Sequence, residues 1–251
     1  MGIARGSGFW WLLTEADRDA LTADARPRTF VPGAELCHEG DVTTHVYVLL
    51  SGWVKICTDS WDGREVVEAV RGGGDVIGEL AGELTGYRTA TVRALEKVGA
   101  LTVSAAHFGE FLDSRSTAAR AYRRAMAERQ RAANEQHRNR SLLRGTRLLA
   151  CLLLDLAEQR QSAGGSVPAT VPPAVRETPP LSQEELASLI GISRATVTRA
   201  LQGLRSRGIV STGPRRIRIL DGPRLRQVSG RPATTPLPGC GKRVAAQAFH
   251  E

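Results

Sequence analysis

The chain has 251 residues, 41% hydrophobic and 24% charged, which excludes a disordered chain and suits two small domains with ordinary cores. Its longest apolar run, residues 148–154, stops at Asp155, far short of the ~20 residues a membrane-spanning helix needs, so a cytoplasmic protein with no membrane partner is expected. Formal net charge is +8, and over residues 181–231 ten arginines stand against Glu184, Glu185 and Asp221, a local charge of +7 of the kind a polyanion site needs.

Phe9-Trp10-Trp11-Leu12-Leu13 is followed at once by Glu15 and Asp17, with no small-residue cleavage site behind it, so it does not read as a secretion signal. Thr14 offers an oxygen to free backbone N–H groups, and the acids suit the positive end of a helix; a short helix to about Ala25 is expected. Over residues 30–103 the pattern turns to short β-rich runs punctuated by Gly33, Gly40, Gly52, Gly63, Gly72-Gly73-Gly74, Gly78, Gly86 and Gly99. Repeated turns between short strands predict an antiparallel barrel or roll. Two hairpins are expected in it, one pairing 46–50 with 54–56 around Ser51-Gly52 and one over 91–103. After Ser104 the period becomes helical, first to Leu112 and then from about Thr117 to Asn139 without Gly or Pro. Ala118, Tyr122, Ala125 and Ala132 share one face of the long helix, interrupted by Arg129 and Gln136. That face can pair with a second copy of the helix, and packing on its own domain is the alternative. A further apolar helix covers about 146–159.

The prolines of 162–180 exclude a regular helix and mark a linker. Ser182 and Glu185 then form a capping box, with Leu181 and Leu186 placed for a hydrophobic staple, so a helix must start here. Gly191 permits a left-handed turn and Ser193 can cap a second helix to about Arg207, which is helix-turn-helix spacing. Val197, Leu201 and Leu204 face inward. Ser193, Arg194, Ala195, Thr198, Arg199 and Gln202 are left for a DNA groove, with Arg194 or Arg199 suited to guanine O6 and N7. Residues 209–212 and 217–220 bracket Gly213-Pro214-Arg215-Arg216, a hairpin whose Arg215 and Arg216 can grip phosphates as a wing. Beyond Arg231 hydrophobic periodicity is lost, and a disordered tail is expected. The cysteines, Cys37, Cys57, Cys151 and Cys240, have none of the spacings of zinc or iron–sulfur sites. No catalytic constellation or metal-ligand cluster is seen, so no enzyme is expected.

Pro32-Gly33 with Glu39-Gly40-Asp41, the run Val46-Tyr47-Val48-Leu49-Leu50-Ser51-Gly52, Gly78-Glu79-Leu80 with Arg88-Thr89-Ala90-Thr91-Val92-Arg93-Ala94-Leu95, and Ser193-Arg194-Ala195-Thr196-Val197 occur in that order. Together they make residues 13–225 resemble the cyclic-AMP receptor protein and fumarate-nitrate regulator family of bacterial transcription regulators. The resemblance implies an α+β fold: an N-terminal antiparallel β-roll of the jelly-roll, cyclic-nucleotide-binding kind (1–113) and a long dimerisation helix (114–140). A connecting helix and linker (141–180), a winged helix-turn-helix (181–228) and a tail (229–251) follow.

It also implies that the 78–89 stretch is a phosphate-binding cassette, which the residue chemistry suits. Arg88 offers a planar fork for phosphate oxygens, Thr89 a hydroxyl and N–H, Gly78 close backbone approach, and Glu79 an acceptor for a ribose hydroxyl, with Leu80 beside it. Asn134 stands where family members contact the purine through Thr or Ser, next to Ala133, which cannot, so nucleotide preference stays open. Arg194-Ala195 replaces the Arg-Glu of close relatives, removing a carboxylate that can accept from cytosine. The expected protein is a homodimer gated by a small-molecule effector, cyclic AMP or another cyclic nucleotide, with double-stranded DNA and RNA polymerase as partners. The alternative is a constitutive regulator whose β-roll is a ligand-free dimerisation scaffold.

Overall fold

The structure, a computed structural model, describes residues 8–79, 86–162 and 176–231. Helix α1 (Phe9–Leu12) precedes α2 (Glu15–Asp24), whose start is capped as expected, Thr14 Oγ1 accepting from the Asp17 N–H at 3.1 Å. Eight strands follow: β1 (Arg26–Phe30), β2 (Glu35–Cys37), β3 (His45–Ser51), β4 (Trp53–Asp59), β5 (Glu65–Gly72), β6 (Val76–Ile77), β7 (Thr91–Ala94) and β8 (Val98–Ser104). They form two antiparallel four-stranded sheets, ordered β1-β8-β3-β6 and β2-β7-β4-β5. Phe30, Tyr47, Leu49, Val54, Ile77, Val92 and Val98 fill one core, the alternate-residue burial that a two-sheet roll requires.

Neither expected hairpin exists as a paired unit. β3 pairs with β8 and β6, while β4 pairs with β5 and β7, so the Ser51-Gly52 turn carries the chain from one sheet to the other. The turn between β7 and β8 does the same. Alternation marks a strand but cannot say which neighbour it pairs with. The two corners press together: Gly52 has φ +80°, and a Cβ there would overlap the Lys97 carbonyl oxygen.

Helices α3 (Ala105–Ser114), α4 (Ser116–Leu142) and α5 (Gly145–Ser162) come next. On α4, Ala118 and Ala125 are buried together with Ala121, against Phe9, Leu21, Val46 and Phe108, with Tyr122 and Met126 partly buried beside them. This part of the expected pairing seam therefore packs on its own domain. The apolar stripe serves the roll because α1 and α3 complete its groove. The opposite stripe, Ala127, Gln130, Asn134, His137 and Ser141, is exposed and, Ala127 apart, polar.

The C-terminal domain holds α6 (Gln183–Ile190) and α7 (Arg194–Ser206), then the wing strands β10 (Val210–Gly213) and β11 (Arg216–Ile219). The capping box is present in full, and Gly191 takes φ 67° at the turn. Two elements went unforeseen. β9 (Arg176–Glu177) pairs with β11 as a third wing strand, so the end of the linker belongs to this domain. Helix α8 (Gly222–Ser229), capped by Asp221 with Pro in its first turn, closes it. The first residues of the expected tail are ordered, Ser229 ending α8, Gly230 capping it and Arg231 pairing with Asp155; the rest of the tail and most of the linker lie outside the described residues.

One apolar cluster joins the two domains. Trp53, Val67, Val70 and Leu95 of the roll share it with Leu149 and Leu153 of α5 and Leu186, Leu189, Leu201 and Leu204 of the helix-turn-helix. The C-terminal domain is thus docked on the outer face of the β4–β5 sheet.

Candidate functional site

The cassette begins where β6 ends. Gly78 has φ +84°, and a Cβ on it would overlap Arg88 Nη1. That vacancy lets the Arg88 guanidinium lie beneath the turn, 2% exposed. Its Nε donates to Thr43 Oγ1 at 2.8 Å, Nη1 to the Gly78 carbonyl at 2.9 Å and Nη2 to the His45 carbonyl at 2.6 Å. The Tyr47 ring lies 5.8 Å from its Cζ. Five N–H groups belong to a guanidinium, so two remain for a ligand among the described residues. Thr89 beside it is exposed.

Glu79 is 7% exposed and accepts from Arg129 Nη1 on α4 at 2.5 Å, while Arg129 Nη2 donates to the Val76 carbonyl at 2.6 Å. The long helix is therefore tied by one arginine to both the cassette carboxylate and the strand that delivers it. The sequence showed Arg129 only as an interruption of an apolar seam. Its place one turn beyond Ala125, on the stripe facing the roll, was the available signal.

Gly78, Glu79 and Arg88 are brought together as expected. Asn134 is not: it is exposed on the opposite stripe of α4, accepting from Gln130 Nε2 at 3.1 Å. At 100° per residue a position five beyond Arg129 points away from the roll. Leu80 lies outside the described residues.

On the second surface, Val197, Leu201 and Leu204 are buried as expected, and Arg194, Ala195, Arg199 and Gln202 are exposed along α7. Arg194 and Arg199 have no carboxylate partner among the described residues, as base or phosphate contacts require. Ser193 caps the helix, its Oγ accepting from the Thr196 N–H at 3.2 Å. Thr198 is held inward, its hydroxyl donating to Gln183 Oε1 at 2.6 Å.

The wing arginines are engaged. Arg215 donates to Glu185 Oε2 at 2.9 Å, and Arg216 pairs with Glu177 at 3.0 Å and with Glu96 of the roll at 3.5 Å. Glu185 does three jobs: it completes the capping box, holds Arg215, and meets Lys55 of β4 at 3.0 Å. Lys55 also bonds Glu65, which pairs with Arg93, so one charge network runs from the roll to the wing tip. Burial alone would raise the Glu185 pKa, but the Ser182 N–H, Lys55 and Arg215 hold it below the ordinary carboxylate value.

Among the described residues no group of three or more His, Cys, Asp or Glu is placed to hold a metal, and no helix is long and apolar enough to cross a membrane. Cys37, Cys57 and Cys151 are buried free thiols. Burial, reinforced by Glu65, pushes Cys57 up to about 12.

Comparison with known proteins agrees with this geometry. Residues 27–115 match the cyclic nucleotide-binding domain, and residues 147–228 match the Crp-like helix-turn-helix domain. The chain is 30% identical over 206 residues to the CRP-like cAMP-activated global transcriptional regulator of Mycobacterium tuberculosis, covering 82% of this chain and 89% of that one. It is 25% identical to the cyclic AMP receptor protein of Thermus thermophilus, over 90% of this chain and 98% of that protein. Among solved structures, FixK2 from Bradyrhizobium japonicum superposes with a TM-score of 0.67 at 20% identity, over 83% of this chain and 99% of that one.

Proposed function

The chain belongs to the cyclic-AMP receptor protein and fumarate-nitrate regulator family and is a DNA-binding transcription regulator; from that premise we propose that a cyclic nucleotide, bound at the cassette, gates its grip on DNA. The observation that carries the reading is Arg88, a buried cation under a glycine turn with two N–H groups unspent among the described residues. Among the described residues this guanidinium meets only neutral oxygens, which leaves its buried charge without a counter-ion there, and a phosphodiester supplies one. In this reading Gly78 and Thr89 offer backbone and hydroxyl donors beside it, and Glu79 accepts from the ribose. Doing so means sharing Glu79 with Arg129, so ligand entry bears directly on α4.

The coupling is a population shift. Effector favours one setting of α4, and two copies of the chain paired along that helix then place their α7 helices about one DNA turn apart. The Mycobacterium tuberculosis relative is a global transcriptional regulator, which makes RNA polymerase a partner in this reading and the cytoplasm its place. A catalytic role has no part in it.

Calorimetric titration with cyclic AMP and cyclic GMP tests the site, with Arg88→Lys as the diagnostic variant. Lysine keeps the charge but loses the fork, so binding is expected to weaken on the order of tenfold or more. Thr89→Ala, at an exposed position, gives a second handle that leaves the buried network intact. Saturable binding untouched by both variants would place the ligand elsewhere, and no binding at all would favour the ligand-free scaffold.

A further inference from the structure

A cavity of about 370 Å³ opens between β5, α4 and α5, lined by Arg71 and Gly72 on one side and by Glu128, Arg129, Ala132 and Ala133 on the other. It has the size of a small-molecule site. It also adjoins the cassette, because Arg129 both lines it and donates to Glu79.

Two of its side chains carry buried polar atoms with no partner among the described residues: Arg71 Nε and Glu128 Oε2. Arg71 Nη1 reaches only the carbonyl of the preceding Val70, at 3.0 Å, and the other oxygen of Glu128 accepts from Arg124 Nε at 2.9 Å. Burial, with Arg129 adding to it, weighs against the Arg71 charge and lowers its pKa. Buried polar atoms left unpaired are rare because each loses its water without recompense, so a donor and an acceptor unmet around one cavity point to a ligand that meets both.

Guanine does. Its O6 and N7 accept from a guanidinium fork, while N1–H and the 2-amino group donate to a carboxylate. Adenine carries an amino group where guanine carries O6, which would set donor against donor at Arg71. The α4 wall between them presents the methyl groups of Ala132 and Ala133, which suit the face of a base but form no hydrogen bond to it. Resting on the reading that the roll binds a cyclic phosphodiester, we infer that the effector carries a guanine base, held by Arg71 and Glu128, with its phosphate at Arg88.

The test is calorimetric titration of the full-length protein with cyclic GMP, cyclic di-GMP and cyclic AMP. A guanine ligand is expected to bind on the order of tenfold or more tighter than cyclic AMP, the discrimination one bidentate pair gives against the wrong base. Arg71→Leu and, separately, Glu128→Gln are expected to bring that ratio close to one, Glu128→Gln by weakening the guanine ligands and Arg71→Leu also by relieving the donor–donor clash with cyclic AMP. Glu128→Gln, on the rim of α4, keeps the test decisive if Arg71→Leu does not fold. Saturation by cyclic GMP or by cyclic di-GMP alone identifies which guanine source fits. Equal or tighter binding of cyclic AMP, or a guanine preference that survives both substitutions, overturns the base assignment and leaves the cyclic-nucleotide reading standing. Failure of all three ligands to bind overturns both.

Discussion

Gly78→Ala is expected to abolish effector binding and to lower the stability of the roll by about 3 kcal/mol. Two costs combine. Alanine at φ +84° is strained, and its Cβ would occupy the place of Arg88 Nη1. The guanidinium must then leave the pocket in which it satisfies Thr43, Gly78 and His45, and those acceptors lose their buried donor. For a chain of this size the thermal midpoint should fall by about 6–12 °C. Differential scanning calorimetry and titration on the same sample check both halves. A variant that melts and binds like the wild type would mean that Arg88 need not lie beneath this turn.

Glu185→Gln is expected to loosen the DNA-binding domain from the roll, at a cost of about 2 kcal/mol. Glutamine keeps the volume but leaves Lys55, 7% exposed, with Glu65 as its remaining acid partner. It also releases Arg215. Affinity for non-specific duplex should rise, and the salt dependence should steepen by about one phosphate contact.

The same carboxylate sets a pH response. Its pKa is lowered in the folded protein, so its contribution is fully present above the ordinary glutamate value of 4.5 and is lost as pH falls through the lower folded value. Lys55, whose pKa is raised by Glu65 and Glu185 against the effect of burial, stays cationic throughout. Hydrogen exchange at the Val67 amide, which donates to Ser188 Oγ across the domain junction at 2.8 Å, reports the docking directly. Protection should fall with acidification in the wild type and start low in Glu185→Gln. Equal protection in the two proteins at neutral pH would show that the apolar contacts alone hold the domains together.

What could be read from the sequence was local. The Thr14 and Ser182 caps, the Gly191 turn and the inward Val197, Leu201 and Leu204 depend on neighbours a few residues away, and each stands in the structure where expected. The glycine beside a distant arginine in the cassette was legible for a similar reason, since each residue type suits one task. Strand pairing was not legible. Gly52 marks a sharp turn whether the chain doubles back or changes sheets, and what decides is Lys97, 45 residues away. The apolar stripe of α4 equally suits a partner helix or the roll, and α1 and α3 tip it to the roll. Arg129, Arg71 and the Lys55–Glu185 bridge were hidden because long-range polar contacts leave no periodic trace.

The domains meet through one continuous core, so a ligand that moves α4 acts on the helix-turn-helix through packed side chains rather than through a free linker. Gln136 and Arg140 of α4 donate to the Leu189 carbonyl of α6 at 3.1 and 2.5 Å, which makes that helix the shared element. The most direct test is the affinity of the full-length protein for a duplex it has itself selected from random sequence, by fluorescence anisotropy, with and without saturating cyclic nucleotide. Ligand should tighten binding on the order of tenfold, and Arg88→Lys should shift that response to ligand concentrations about tenfold or more higher while keeping the basal affinity. Affinity that saturating ligand leaves unchanged in the wild type would contradict gating and leave the roll as a scaffold for a constitutive DNA-binding protein.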